Sequence, residues 1–330
     1  MKRTDLLKIL EIVKPGIAGN TKIESMSYFF FSGKEVVSYN DKISIQHKLK
    51  TDFKMFVKAN DLYSLVSRLK SDELKMKEEK GKLLIKTEST KASFSTISDD
   101  EVESRVKNVS KSLKKAKWEK LPDDFCNSIS LCSFAAEKEQ KNTLGCVYVT
   151  DKNCMASDNK RVAFAKMSEK VEDMFILATE IKSLINTAPV KYAITKSWLH
   201  FKNKEGCVFS IRKVTGEFPD FLQFFDFKGT VVDLPKEIID GIDIASIIIS
   251  DIEPMITVNI KNKVLLINVK SESGKITHKT KVDYDGEEVQ FSINPSFLKE
   301  MMTYSSKITI ADDKMKLETS NFSLLTSLYV

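Results

Sequence analysis

If this chain does chemistry, it must use a short set of side chains. The three histidines, His47, His200 and His278, each stand alone on a predicted strand or beside a turn, the usual setting of a structural histidine. Carboxylates gather at Asp99-Asp100-Glu101 and at Glu287-Glu288, beside turns or loops and without the apolar surroundings that raise a carboxyl pKa for acid–base work. The five cysteines, Cys126, Cys132, Cys146, Cys154 and Cys207, are odd in number and form no C-x-x-C pair. Reduced thiols of a cytoplasmic protein explain them better than disulfides or zinc. No glycine-rich phosphate loop, G-x-S-x-G elbow or H-E-x-x-H pair occurs. A metal site would need ligands converging from distant segments. The expectation is a protein without catalytic residues, metal or cofactor, and so one that works by binding.

The elements that would position a binding surface come next. At 330 residues with 42% apolar content, the chain is long enough for two or three domains with real cores. The N-terminal stretch is interrupted by Asp5, Lys8 and Glu11, so it is no signal-peptide core. No apolar run approaches the roughly 18 residues of a membrane span. The net charge of +6 mixes both signs. That is mild for a sequence-specific DNA binder, although an anionic partner remains compatible with it.

A repeat organises the chain. Phe56-Val57-Lys58-Ala59-Asn60-Asp61-Leu62, Phe175-Ile176-Leu177-Ala178-Thr179-Glu180-Ile181 and Phe291-Ser292-Ile293-Asn294-Pro295-Ser296-Phe297 each read as a strand running into a helix. Asn60, Thr179 and Asn294 are the predicted N-caps, and Pro295 occupies a first helical position where its missing N–H costs nothing. Apolar residues then recur at helical spacing: Leu62, Leu65, Val66, Leu69; Ile181, Leu184, Ile185, Ala188; Phe297, Leu298, Met301, Met302. After each helix come paired strands around a polar turn and a closing strand. The three leading phenylalanines are 119 and 116 residues apart, about the size of a small domain. Helices predicted at 5–13, 122–136 and 235–246 open the three units. The fold class is therefore α+β, three tandem two-helix-on-sheet domains with boundaries at 1–115, 116–227 and 228–330. The basic run from Arg105 to Lys120 lies across the first junction and reads as a solvated linker or an added phosphate contact.

Three motifs in this order resemble the bacterial sliding clamp, the beta subunit of DNA polymerase III. Ala156-Ser157-Asp158-Asn159-Lys160-Arg161-Val162-Ala163 is similar to the family's A-T-D-G-x-R-L-A segment. Gly216-Glu217-Phe218-Pro219-Asp220-Phe221 is similar to its G-x-F-P-D-Y, and Phe291 to Leu298 to its F-N-x-x-Y-L helix opening. The resemblance covers essentially the whole chain. It implies a head-to-tail homodimeric ring around double-stranded DNA, held sequence-independently, with a replicative DNA polymerase and a clamp loader as partners.

Site residues follow from the same resemblance. A peptide-binding pocket would comprise Ser157, Asn159, Lys160, Arg161 and Val162, then Pro219, Gln223 and Phe224, and Leu324, Thr326, Leu328 and Tyr329 from the tail. DNA-contacting candidates are Lys8, Lys14, Lys22, Ser64, Arg68, Lys70 and Lys182. The dimer joint would involve Phe94, Ile248 and Ile249, although the run Ile247-Ile248-Ile249 reads equally as plain core. Asn159 stands where the family has glycine, Lys160 where it has histidine, and Ser327-Leu328-Tyr329-Val330 where it has a proline- and methionine-containing tail. These departures describe a diverged clamp, of the kind a phage or mobile element would carry, accepting a different peptide. The rival reading is a repeat module that binds nucleic acid or protein without closing a ring.

Overall fold

A computed structural model describes residues 1–19, 23–138, 142–249 and 254–329. In chain order, helix α1 (Arg3–Val13) precedes strands β1 (Tyr28–Phe31), β2 (Glu35–Tyr39), β3 (Ile43–Lys48) and β4 (Met55–Lys58). Helix α2 (Ala59–Arg68), strands β5 (Lys75–Glu79), β6 (Lys82–Lys86) and β7 (Lys91–Ile97), helix α3 (Asp100–Lys114) and the short β8 (Glu119–Lys120) follow. Helix α4 (Phe125–Ser133) leads to β9 (Cys146–Ser157) and β10 (Arg161–Leu177), then α5 (Ala178–Asn186), β11 (Lys191–Ile194), β12 (Trp198–Lys202) and β13 (Val208–Arg212). The remainder is β14 (Thr230–Asp233), α6 (Ile238–Ala245), β15 (Ile256–Lys261), β16 (Val264–Ser271), β17 (Gly274–Lys281), β18 (Val289–Ile293), α7 (Pro295–Met302), β19 (Lys307–Ile310), β20 (Lys314–Glu318) and β21 (Phe322–Ser327). The chain divides into two compact units, residues 1–126 with 171–215, and residues 127–170 with 216–330.

The first unit is built on an eleven-stranded sheet in the order β5-β6-β7-β4-β1-β2-β3-β13-β12-β11-β8. One face takes α1 and α2, whose apolar residues repeat at helical spacing: Leu6, Leu10 and Val13 in α1, Ala59, Leu62 and Val66 in α2, all buried. Ser38 Oγ donates to Val13 O at 2.5 Å and ties α1 to β2. The opposite face carries Tyr28, Phe30, Val37, Tyr39 and Trp198, as strand alternation requires. It is covered by α3.

That helix corrects the linker reading of the basic run. Val102, Val106 and Val109 recur every third or fourth residue and join the buried cluster on the sheet. Each contributes about 2 kcal/mol of burial. Asp99, read in sequence as loop charge, is the N-cap and accepts from Val102 N at 3.0 Å. Arg105 Nη1 then donates to both oxygens of the Asp41 carboxylate, at 2.9 and 3.0 Å. The valine spacing was present in the sequence, but the lysines obscured it.

The caps differ from expectation as well. Helices α2 and α5 start one residue earlier than the predicted caps, so Asn60 and Thr179 lie inside them and neither helix has a side-chain cap. Asn294 does cap α7, accepting from Ser296 N at 2.9 Å.

The second unit holds a six-stranded sheet, β14-β19-β20-β21-β10-β9, and a four-stranded one, β17-β16-β15-β18. Gly241 lets α6 lie close on the latter, because a Cβ there would meet His278 Cδ2 at 2.6 Å and Ile267 Cδ1 at 2.7 Å. No helix among the described residues is long and apolar enough to cross a membrane.

Candidate functional site

The residues read as a peptide pocket come together in the second unit, around the β9–β10 hairpin, the segment 216–227 and β21. The hairpin turn is set by local chemistry. Asp158 Oδ1 accepts from Lys160 N at 3.1 Å and Arg161 N at 2.8 Å, an Asx-type turn. Ser157 Oγ accepts from Asn159 N at 3.1 Å. Asn159 has φ +65°, the left-handed region that asparagine tolerates better than most residues. This explains how an asparagine can hold this turn position.

Arg161 is largely enclosed. Its Nε and Nη2 donate to Asp158 Oδ2 at 3.1 and 2.8 Å, and Nη2 donates to Phe134 O at 3.2 Å. Its guanidinium lies 5.4 Å from the Phe134 ring and 4.2 Å from the Phe297 ring. Phe134 stacks on Tyr304, which packs on Phe322 at 4.6 Å. Burial, and then the Glu300 carboxylate, push the Tyr304 hydroxyl up to about 12, so it stays a neutral hydrogen-bonding group.

The other side of the hairpin is aromatic. Arg161 and Val162 pair with Thr326 and Leu325 of β21. Val162 and Leu325 form a buried cluster with Leu144 and Phe221, against which Phe218, Phe225 and Phe227 pack. Gly216 starts this segment at φ +153°, where a Cβ would meet Thr143 Cγ2 at 2.8 Å. Lys316 fastens its far end: the buried ammonium donates to Phe225 O at 2.7 Å and lies 4.9 Å from the Phe227 ring. Leu222 and Phe224 remain exposed beside a cleft of about 190 Å³ lined by Phe164, Phe225, Glu318, Asn321 and Phe322.

Not every candidate has surface here. Lys160, Pro219, Gln223, Phe224 and Tyr329 are exposed or partly so, whereas Ser157, Leu324 and Thr326 are fully buried and Leu328 nearly so. Alternation along β21 puts Leu325 on the aromatic side and Leu324 and Thr326 behind it. Sequence reading missed Leu325, Phe297 and the Phe134–Tyr304 pair. The alternation could have supplied the first; the others come from distant segments.

The DNA-contact candidates lie in the first unit. Lys8 is on α1, 3.8 Å from Glu205, and Lys14 follows α1 with its ammonium 3.9 Å from the Tyr63 ring. Ser64 and Arg68 are exposed on α2, Lys70 just beyond it, and Lys182 on α5. Lys22 lies outside the described residues. Of the joint candidates, Phe94 sits on β7 opposite Leu83, and Ile248 and Ile249 are partly exposed after α6, next to Ile247 at 76% exposure.

Several groups that could take part in catalysis are, among the described residues, held neutral by burial. Burial holds Cys146 and Cys207 up at about 12 and Cys132 well above its usual value, so these thiols stay protonated. His200 is buried among Ser210, Ser112 and Thr195 hydroxyls at 2.8, 3.1 and 3.2 Å. Burial lowers its pKa to about 4. Among the described residues no group of three His, Cys, Asp or Glu side chains could hold a metal ion.

This architecture is the sliding-clamp fold, matched over the full length of the chain. The crystal structure of a DNA polymerase III beta subunit from Thermotoga maritima is similar with TM-score 0.84 and 16% identity, covering 100% of this chain and 98% of that one. The beta chain from Streptococcus pneumoniae gives 0.85 and 17%, and the beta subunit from Pseudomonas aeruginosa 0.82 and 15%, with the same coverage. No protein-family model and no curated protein matches the sequence.

Proposed function

We propose that this chain is a DNA sliding clamp: a homodimeric processivity factor that encircles duplex DNA and tethers a replicative polymerase and a clamp loader. The observation that carries the proposal is the end-to-end fold match with solved DNA polymerase III beta subunits. A clamp needs no catalytic group, because retention comes from topology, and its DNA contacts are charge-based and sequence-independent. Among the solvent-facing cations on or beside α1, α2 and α5, Lys8, Arg68, Lys70 and Lys182 suit that task. The three-domain division at 1–115, 116–227 and 228–330 belongs to the same reading, as does a cytoplasmic location.

Two sheet edges support the ring. β7 pairs with β6 along Lys91–Ser95, but with β4 only at Thr96 and Ile97, so its first half has one unpaired edge among the described residues. β17 is the end strand of its sheet. Long open edges are a liability that pairing between copies removes, and a heterologous contact that closes makes a ring. Phe94 on the first edge and Ile248 and Ile249 beside the second would be the apolar part of the joint.

The tether would be an extended peptide whose apolar side chains meet Leu222, Phe224 and the aromatic side of the hairpin, with Lys160 and Gln223 directing its polar groups. Light scattering tests the assembly: a dimer at micromolar concentration is expected, with Phe94→Arg converting it to a folded monomer. A wild-type protein that is strictly monomeric would refute the ring.

A further inference from the structure

We propose that the α3-bearing face of the eleven-stranded sheet holds a second nucleic-acid surface, a lysine patch that takes the phosphate backbone of a single strand. Strands β8, β11 and β12 set three lysines in one cross-strand row, with Lys191 directly opposite both Lys120 and Lys202. Residues two apart share a face, so Lys202 lies on the side of His200 and Trp198, which α3 covers. Like charges directly opposite one another destabilise a sheet. A bound polyanion relieves that repulsion.

The helix brings more charge to the same place. Lys111 and Lys114 are exposed in the last part of α3, and Lys115 and Lys117 are exposed just beyond it. The helix dipole favours cations at a C-terminus, which accounts for the first two and for none of the strand lysines. Among the described residues, only Lys120 of these seven pairs with a carboxylate, the exposed Asp123 at 3.8 Å. Glu119 points to the opposite face, where it accepts from Tyr192 Oη at 2.7 Å. Half-buried Trp118 sits within the patch, with Lys202 Nζ 5.5 Å from its ring. Cations around an aromatic side chain are the composition of surfaces that track single strands.

The support beneath is rigid. Ser112 and His200 join α3 to β12, Gln46 Nε2 donates to Ser110 Oγ at 3.2 Å, and the Arg105–Asp41 clamp fixes the other end. The backbone positions of the lysines are therefore fixed, while their exposed or partly exposed side chains are free to adjust. As compact point charges without arginine's planar fork, they suit phosphates met in no fixed register. The patch is on the sheet face opposite α1 and α2, so a strand bound there is distinct from a duplex passing Lys8 and Arg68.

The test is fluorescence anisotropy of a labelled single-stranded oligonucleotide on the full chain over a salt series. Reversing Lys114, Lys117, Lys191 and Lys202 together to Glu is expected to weaken binding at least about tenfold at low salt. The log–log salt slope should fall by roughly 0.7 for each phosphate that the protein no longer neutralises. Reversing Lys8, Arg68 and Lys182 together is expected to weaken this binding clearly less than the four-fold patch variant does. Folding of each variant is checked by its circular-dichroism melt, and four Lys→Gln changes, which remove charge without adding repulsion, should give an intermediate loss. Unchanged affinity and slope in the four-fold Glu variant, or an oligonucleotide displaced more readily by a polyglutamate peptide than by unlabelled strand, would overturn the patch. Retention of the four-fold variant on circular duplex DNA is a separate readout, so failure of the patch is distinguishable from failure of the clamp reading.

Discussion

Arg161 illustrates how a motif residue acquires a structural duty. Its guanidinium serves Asp158 Oδ2, the Phe134 carbonyl and the Phe297 ring together, so Arg161→Ala removes the charged partner of a mostly enclosed carboxylate oxygen and a donor to that carbonyl. A loss of about 2–3 kcal/mol in urea unfolding is expected, and Arg161→Lys should recover little of it because an ammonium lacks the planar fork. Asn159→Val tests the turn: a β-branched residue at φ +65° should cost about 1–2 kcal/mol. His200 makes stability depend on pH. Its folded pKa of about 4 lies below the ordinary value of 6.5, so the unfolded chain takes up the proton first. The contribution of neutral His200 is full above pH 6.5 and is lost as pH falls toward 4, on the order of 3 kcal/mol in all. Urea midpoints recorded between pH 7.5 and 4.5 should show this decline, and it should flatten in His200→Gln. The lone-histidine pattern indicated a structural residue, but its hydroxyl cage comes from α3, a turn and two strands, and no local spacing reveals that.

At the scale of elements, the repeat was legible because each copy announces itself with an apolar strand, a helix start and alternating hairpins. Asn294 and Pro295 mark α7 unambiguously. Asn60 and Thr179 did not mark α2 and α5, because those helices begin at the preceding alanines and their N-cap positions, Lys58 and Leu177, make no side-chain cap bond. The largest omission was α3. A dense run of lysines suggested solvated chain, while three valines at helical spacing carried the contrary information. Val106→Ala should cost about 1–2 kcal/mol by leaving a void in the buried cluster that includes Tyr28 and Val37. Asp99→Ala should cost about 1 kcal/mol through loss of the cap. Denaturation monitored by Trp198 and Trp118 fluorescence would read both. The candidate pocket was half legible: its motifs located the hairpin and the 216–227 segment, but the side of β21 that meets them depends on register.

For the whole molecule, the end-to-end match to the sliding-clamp fold carries the proposal that the chain works by enclosing its partner. On that proposal the net charge of +6 would hold phosphates loosely, inside a ring and, by our inference, on the sheet face that carries α3. The most direct measurement loads the protein on nicked circular plasmid, applies a high-salt wash, and compares retention before and after the plasmid is cut once. The clamp account predicts protein that survives the wash on the circle and slides off the linear form. Equal loss from circular and linear DNA would contradict it.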